Sequence, residues 1–462
     1  MQQFGVIGLS VMGKNLALNV KNHGFSVAGF SIDKVEVDAL AAYADAQLKP
    51  TYTWSEFVNS LEKPRKILIM IRAGKPVDET LAKLTTLLSP GDIVIDGGNS
   101  NFNDTTRRYR ALEEKGLHFI GMGVSGGQQG ALHGPALMPG GNEEAYNKVA
   151  PILSAIAAKT QDGRPCVSYI GPQSSGHYVK MVHNGIEYGI MQAIGEVYDI
   201  LKHVGGYTNQ QMSAVFGQWN QEKLNSYLVA ITAKILAQKD TMTDSDLVDK
   251  ILNVASYKGT GNWMLEDAIR LGTPISVPAE AVLSRFMSKF SMHREQNTSA
   301  SKLPAYPELA ADLEKALYLV QCVAYAQGFD QMTMAGQAYD WQLRFSAIAQ
   351  NWEAGCIIRA KVLQEIEAAY EKNKHLRNLF EDERFAQLRQ QNLPALRRIL
   401  KIAIDAEIPT PAFSAALNYL ESIFNAELPA NLLQAQRDYF GAHTYLRNDR
   451  PGVFHTQWYH EA

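Results

Sequence analysis

The segment Lys180-Met181-Val182-His183-Asn184-Gly185-Ile186-Glu187 sets an amine, an imidazole, an amide and a carboxyl at helical spacing. At ~100° per residue, Lys180, His183, Asn184 and Glu187 share an arc of roughly 100° on one helix face, with Tyr188 at its edge. Apolar Val179, Val182 and Ile186 flank that stripe, and burying the polar groups without partners would cost roughly several kcal/mol. Two readings are open. One is a solvated stripe of Lys–Glu ion pairs. The other is a cleft wall that offers a base, hydrogen-bond donors and an acid to one substrate. A lysine at its ordinary pKa of ~10.4 is a poor base at neutral pH, so the second reading requires burial or neighbouring cations to lower it.

A second constellation stands at the start of the chain. Gly8-Leu9-Ser10-Val11-Met12-Gly13 matches GxGxxG with Ser10 in the middle glycine position. Between a strand and a helix, such a turn brings backbone N–H groups and a helix N-terminus against a pyrophosphate. The residues after the second strand choose the cofactor: an acid there binds the ribose of NAD, an arginine the extra phosphate of NADP. Here the segment is Phe30-Ser31-Ile32-Asp33-Lys34. Asp33 stands slightly late, Lys34 supplies a cation, and a solvated loop is the plain alternative.

The elements that must position these groups change character along the chain. Near-continuous apolar runs at Phe4 to Gly8, Phe25 to Phe30, Lys66 to Ile71, Asp92 to Ile95 and His118 to Gly121 predict parallel strands buried on both faces. Amphipathic stretches between them, such as Lys14 to Asn22 and Val77 to Leu88, predict a doubly wound α/β sheet. From Gly176 to about Leu433 helical periodicity dominates. One helix is expected from near Ser175 to about His203, stopped by Val204-Gly205-Gly206. Glu308 to Gln327 and Ile357 to Lys372 are further clear helices. The expected architecture is a Rossmann-type domain over 1–174, an all-helical domain over 175–433 and a tail over 434–462. From Pro429 onward the chain is polar, aromatic and basic, with too little helical patterning to form its own core. It is read either as a frayed terminus or as a tail that docks elsewhere.

Composition narrows the function classes. Of 462 residues, 46% are hydrophobic and 20% charged, which suits sizeable globular cores. A net charge of -3 and no basic stripe interleaved with aromatics argue against nucleic acid as a partner. Cys166, Cys322 and Cys356 are scattered and lack CxxC spacing, so reduced, buried thiols are expected rather than a disulfide framework or a zinc site. No apolar run approaches the ~20 residues a bilayer span needs, and the N-terminus lacks a leader pattern. The expected location is the cytoplasm, with no membrane partner.

Further blocks make a resemblance specific. Gly8 to Leu16, Asp96-Gly97-Gly98-Asn99-Ser100, Gly123-Val124-Ser125-Gly126-Gly127 and Lys180 to Tyr188 occur in the order seen in 6-phosphogluconate dehydrogenases. So do Lys258-Gly259-Thr260-Gly261 and Gln434-Ala435-Gln436-Arg437-Asp438-Tyr439-Phe440-Gly441-Ala442-His443. The chain resembles this family over essentially its whole length, whereas related β-hydroxyacid dehydrogenases are shorter and lack the last block. The resemblance implies metal-free oxidation of 6-phosphogluconate at C3 and decarboxylation to ribulose 5-phosphate and CO2, a step of the pentose phosphate pathway. It implies Lys180 as the base at the 3-hydroxyl and Glu187 as the acid that protonates C1. It implies Asn99, Ser125, Gly126, Gly127, His183 and Asn184 as holders of the sugar acid. Tyr188, Lys258, Thr260, Arg285, Arg437 and His443 resemble the phosphate-binding set, although Arg285 by itself reads as a helix-surface arginine. Gly8, Leu9, Ser10, Val11, Met12, Gly13, Ser31, Ile32, Asp33, Ile71, Arg72, Ala73 and Asn99 would line the cofactor. A homodimer is implied, in which each tail completes the neighbour's site.

Departures are informative. NADP-using members carry Asn-Arg-Thr where this chain has Ser31-Ile32-Asp33, so the resemblance implies NADP while the missing arginine points to relaxed or NAD-leaning use. Gln128-Gln129 stands for an acidic pair, Ile190 for a common Asp and Asn262 for a frequent Lys. Two rivals are kept: a β-hydroxyacid dehydrogenase for a substrate without phosphate, and a catalytically silent dinucleotide-binding protein. The several cations of the phosphate set argue against the first, and retention of Lys180 and Glu187 against the second.

Overall fold

A computed structural model describes residues 1–256, 259–290 and 305–459. The chain forms two compact units, Met1–Ala416 and Leu417–Ala462.

The first unit begins with seven strands, β1 (Phe4–Ile7), β2 (Val27–Phe30), β3 (Leu48–Thr51), β4 (Lys66–Ile69), β5 (Ile93–Asp96), β6 (His118–Ser125) and β7 (Ala136–Gly141). They form one sheet in the order β3-β2-β1-β4-β5-β6-β7, parallel except for the antiparallel β6–β7 pair. The Rossmann-type expectation is met. Every predicted strand is present, and two that were not predicted, β3 and β7, lie at the sheet's edges. β3 reads Leu-Lys-Pro-Thr and β7 ends Pro-Gly-Gly, sequences that edge strands tolerate and that hide the apolar signal.

Seven helices alternate with the strands: α1 (Val11–Asn22), α2 (Lys34–Ala41), α3 (Trp54–Ser60), α4 (Lys75–Leu84), α5 (Phe102–Glu113), α6 (Gly127–His133) and α7 (Glu143–Ile156). The inward-facing strand residues divide into two apolar layers. Phe4, Val6, Leu68 and Ile95 pack with Leu16 and Val20 of α1 on one face; Ile7, Ile67, Ile69 and Val94 pack with Val77 and Leu81 of α4 on the other.

Helices then dominate: α8 (Ser175–His203), α9 (Asn209–Trp219), α10 (Tyr227–Ala237), α11 (Thr260–Leu271), α12 (Ser276–Lys289), α13 (Leu309–Tyr339), α14 (Phe345–Trp352), α15 (Val362–Lys372), α16 (Glu383–Asp405) and α17 (Pro411–Phe424). α8 has the bounds expected from its sequence. α13 runs a full 31 residues, well past the predicted Gln327, with Cys322, Gln327 and Gln331 all buried. A helix surrounded by neighbours loses the one-sided pattern by which its length is read. Cys166, Cys322 and Cys356 are buried and unpaired. No helix among the described residues is long and apolar enough to cross a membrane.

The start of α8 rests on the sheet itself. A Cβ on Gly176 would overlap the carbonyl oxygens of Gly121 in β6 and Met138 in β7, and would lie 2.5 Å from Gly140 N. A Cβ on Gly121 would meet His177 Nδ1 at 2.9 Å. Glycine on both sides thus lets α8 approach β6 and β7 backbone to backbone.

The second unit corrects an expectation. The chain past Pro429 carries a regular helix, α18 (Ala430–Gly441), and a short hairpin of β8 (Tyr445–Leu446) and β9 (Val453–Phe454). Its organiser is a carboxylate rather than an apolar stripe, which is why periodicity did not reveal it. Buried Asp438 accepts from Thr444 N at 2.9 Å, Thr456 N at 3.0 Å and Trp458 Nε1 at 2.8 Å, with His455 Nδ1 at 2.9 Å.

Gly176→Ala should lower stability by about 1–3 kcal/mol, because the new methyl meets backbone on two strands. Gly195, later on the same helix, has open space around its Cβ position. Gly195→Ala should stabilise by about 0.5–1 kcal/mol. Urea-unfolding midpoints of the two variants distinguish them.

Candidate active site

The turn after β1 has the form a dinucleotide needs. Gly8 adopts φ +88°, and a Cβ there would stand 2.5 Å from Met70 O and 2.6 Å from Ile71 Cγ2. A Cβ on Gly13 would collide with Gly8 O, so glycine is required on both sides of the turn. Leu9 is buried, whereas Ser10 and Val11 are exposed at the mouth of α1 and Met12 is half-buried. Ser10 makes no side-chain cap and the first turn of α1 holds no acid, which leaves its N–H groups and positive dipole end open to an anion. The loop after β4 brings Ile71 beside this turn, and Arg72, exposed, and Ala73, half-buried, follow it. The residues present therefore fit a dinucleotide pyrophosphate.

Asn99 is presented from the loop after β5. Asp96 accepts from Gly98 N at 3.0 Å and Ser100 Oγ at 2.6 Å, and buried Arg108 donates to Ser100 Oγ at 3.3 Å and to Gly74 O at 3.0 Å. The pinned loop exposes Asn99 itself. Ser125 closes β6, and Gly126 caps the N-terminus of α6 with φ +124°, where a Cβ would overlap Gly355 O. Gly127 follows at φ +60°.

Along α8 the predicted polar face is buried, which decides against the solvated stripe. A Cβ on Gly123 of β6 would overlap Lys180 Cβ and lie 2.9 Å from its Cγ, so the glycine makes room for this one side chain. Lys180 Nζ donates to Asn184 Oδ1 at 2.8 Å and lies 3.3 Å from His183 Nδ1. His183 Nε2 pairs with Ser125 Oγ at 3.1 Å. Glu187 Oε2 is 3.9 Å from His183 Nδ1 and is partly open to solvent.

Burial pushes the Lys180 ammonium below its ordinary range, against a smaller opposing pull from Glu187. Burial also raises the Glu187 carboxyl, opposed by Lys180 and Arg285. The two groups are thus driven toward their uncharged forms, an amine that can take a proton and a carboxylic acid that can give one. His183 is held well below its usual pKa by burial and then by Lys180, so its imidazole is neutral.

Further along, the Arg285 guanidinium carbon lies 3.4 Å from the centroid of the Tyr188 ring, and Arg285 Nη1 donates to Ser256 O at 3.2 Å. Thr260 opens α11, whose Gly261 packs so closely that a Cβ would stand 2.8 Å from Tyr188 Cε2. A guanidinium and a helix N-terminus against one tyrosine form a place for a dianion. Lys258 lies outside the described residues. Arg437, on α18, and His443, just after it, are exposed members of the second unit.

After the second strand, Ser31 is buried, Ile32 is 90% exposed and Asp33 serves as the N-cap of α2, accepting from Val35 N at 2.9 Å. Several participants were not foreseen. Trp352 stands edge-on to His183 with ring centroids 5.8 Å apart, and Ile357 N reaches Ser125 Oγ at 3.4 Å. Asn15 of α1 donates to Gln128 O of α6 at 3.0 Å, tying the nucleotide helix to the Ser-Gly-Gly loop. No local spacing marks such long-range partners.

Residues 3–171 match the NAD binding domain of 6-phosphogluconate dehydrogenase and residues 176–458 match the C-terminal domain of that enzyme. The chain belongs to the 6-phosphogluconate dehydrogenase family. A decarboxylating 6-phosphogluconate dehydrogenase of Staphylococcus aureus is 49% identical, with 100% of each chain covered. One from Lactococcus lactis is 48% identical with 99% of each covered. The solved 6-phosphogluconate dehydrogenase of Plasmodium falciparum, described apo, with NADP+ and with 6-phosphogluconate, superposes with a TM-score of 0.94. It is 42% identical, with 99% of this chain and 100% of that chain covered.

The electrostatics of this family member's site yield a direct expectation. His183 should stay neutral from about pH 5 to 8, where an exposed histidine titrates. Nitrogen-15 chemical shifts of its ring across that range check this, and a normal titration would contradict the burial argument.

Proposed function

We propose that this chain oxidises 6-phosphogluconate at C3 and decarboxylates it to ribulose 5-phosphate and CO2. The observation that carries the proposal is the buried Lys180 amine, seated against Gly123 at the end of the sheet with Glu187 two turns along the same helix. Family membership and full-length likeness to decarboxylating enzymes support it. A bound nicotinamide dinucleotide supplies the hydride acceptor at C3; the glycine turn and α1 are proposed to hold its pyrophosphate, with Leu9, Ser10, Val11, Met12, Ile71, Arg72, Ala73 and Asn99 around it.

Lys180 takes the proton of the 3-hydroxyl, for which its burial-lowered basicity suits it. Asn184, accepting from Lys180 Nζ, fixes the amine's direction. Once the carbon is a carbonyl, protonated Lys180 donates to its oxygen, so the electron pair released with CO2 settles there. Glu187, whose carboxyl burial pushes toward its protonated form, delivers a proton to C1 of the enediol while Lys180 takes back the hydroxyl proton, leaving the ketone. Ser125, His183 and the N–H groups of Gly126 and Gly127 orient the sugar acid. Arg285, Tyr188 and Thr260 receive its phosphate, joined by Lys258.

Domain roles follow from the same reading: 1–174 for the dinucleotide, 175–433 for substrate and dimerisation, and 434–462 as a tail. Arg437 and His443 of that tail complete the phosphate site of a second copy in a homodimer. Three buried free thiols suit a reducing compartment, and the cytoplasm is the proposed location.

Absorbance of the reduced nicotinamide together with CO2 release, with 6-phosphogluconate against gluconate, tests the activity. Equal turnover of gluconate would favour a β-hydroxyacid dehydrogenase without a phosphate requirement. Lys180→Met and Glu187→Gln should each cost roughly 100- to 10,000-fold in kcat. The wild-type pH profile should be a bell. Activity falls as acid protonates Lys180 and again as alkali ionises Glu187, and the alkaline limb should vanish in Glu187→Gln. Arg437→Ala should raise KM for 6-phosphogluconate roughly tenfold or more while sparing cofactor binding. A fully active monomer in sedimentation would refute the shared site.

A further inference from the structure

The acid that faces the dinucleotide turn is Glu36, not Asp33. Asp33 is engaged as the cap of α2. Glu36, in the first turn of that helix, reaches back to β1: its Oε2 accepts from Leu9 N at 3.0 Å and from Ser31 Oγ at 2.7 Å. Leu9 N belongs to the glycine turn and Ser31 directly follows β2, so one half-buried carboxylate spans the carboxyl ends of adjacent parallel strands. In an open α/β sheet this is where the adenosine ribose of a dinucleotide lies. Both hydrogen bonds fall on Oε2; among the described residues Oε1 has no partner and can accept from a ribose hydroxyl.

We propose that Glu36 is the specificity-determining residue that makes this chain select NAD over NADP, by binding the ribose as a free diol and rejecting a 2′-phosphate. The inference rests on the dinucleotide-dependent reading given above and names which dinucleotide that site takes. A 2′-phosphate brings close to two negative charges and only acceptor oxygens, while Glu36 also offers only acceptors. Contact between them replaces a hydrogen bond by repulsion. Ile32, 90% exposed, stands where the resemblance places an arginine. The exposed Lys34 has its ammonium 6.0 Å from the centroid of the Tyr52 ring, and no Lys or Arg among the described residues forms an ion pair with Glu36. Its hold on Leu9 N and Ser31 also fixes the carboxylate, so it cannot swing away to admit the phosphate at no cost.

The test is equilibrium binding of NADH and NADPH to the full-length protein by calorimetry at one fixed salt concentration, without substrate. Wild type should bind NADH roughly 100-fold more tightly than NADPH. Glu36→Gln keeps an amide oxygen for Leu9 N and Ser31 while removing the charge. It should tighten NADPH roughly tenfold and weaken NADH by less. Adding Ile32→Arg at an exposed site should carry the preference over to NADPH. Thermal melts without ligand verify that each variant is folded. Wild type binding NADPH as tightly as NADH, or a Glu36→Gln variant with an unchanged ratio, overturns the assignment and leaves the dehydrogenase reading standing. Binding of neither dinucleotide overturns both.

Discussion

The close approach of α8 to β6 and β7 is the constraint on which the rest depends. It exists because Gly121, Gly140 and Gly176 carry no Cβ there, where one would collide with backbone or with the Ser175 and His177 side chains, and Gly123 extends the same track to Lys180. The chain leaves the sheet through a helix that begins on the sheet's own surface. Lys180 therefore inherits its position from strand backbone. Ser125 lies on the same strand two residues past Gly123 and reaches His183 one turn along the helix. Strand and helix thus stay in register through both a packing contact and a hydrogen bond. The tie from Asn15 to Gln128, reinforced by Asn19 donating to Ala131 O and Ile156 O, extends that register to the dinucleotide turn.

Electrostatics follow from this geometry. Desolvation is the largest influence on Lys180, His183 and Glu187, and it acts in opposite senses on bases and acids. The same burial favours the free-base form of the amine and the protonated form of the carboxyl. The Lys180–Glu187 attraction works against both shifts but does not reverse either. A neutral imidazole between them avoids a second positive charge that would press further on the lysine.

Much of this was legible in the sequence. The α/β alternation, the glycine turn and the full extent of α8 were readable because each rests on local periodicity or on a turn that only glycine allows. The polar face from Lys180 to Glu187 was visible, but its burial was not, since spacing cannot tell a cleft from a solvated stripe. Edge strands β3 and β7 were hidden by Lys49, Pro50 and Pro139. The fold of the tail was hidden because one carboxylate, Asp438, gathers partners from up to twenty residues away. The two acids after β2 could not be told apart for a related reason. Asp33 and Glu36 both follow the strand, and only three-dimensional placement shows which caps a helix and which turns toward Leu9. Trp352 and Ile357 joined the site across long sequence separations that no pattern announces.

The β2–α2 turn and α8 are separate pieces of chain, joined to the sheet at different strands. With Glu36 proposed to choose the electron carrier and Lys180 and Glu187 proposed to handle protons, the two tasks fall on separate elements. Evolution could retune this protein to a cell's catabolic or biosynthetic redox pool by editing a few residues at the first element. The chemistry on the sugar acid would be left as it is.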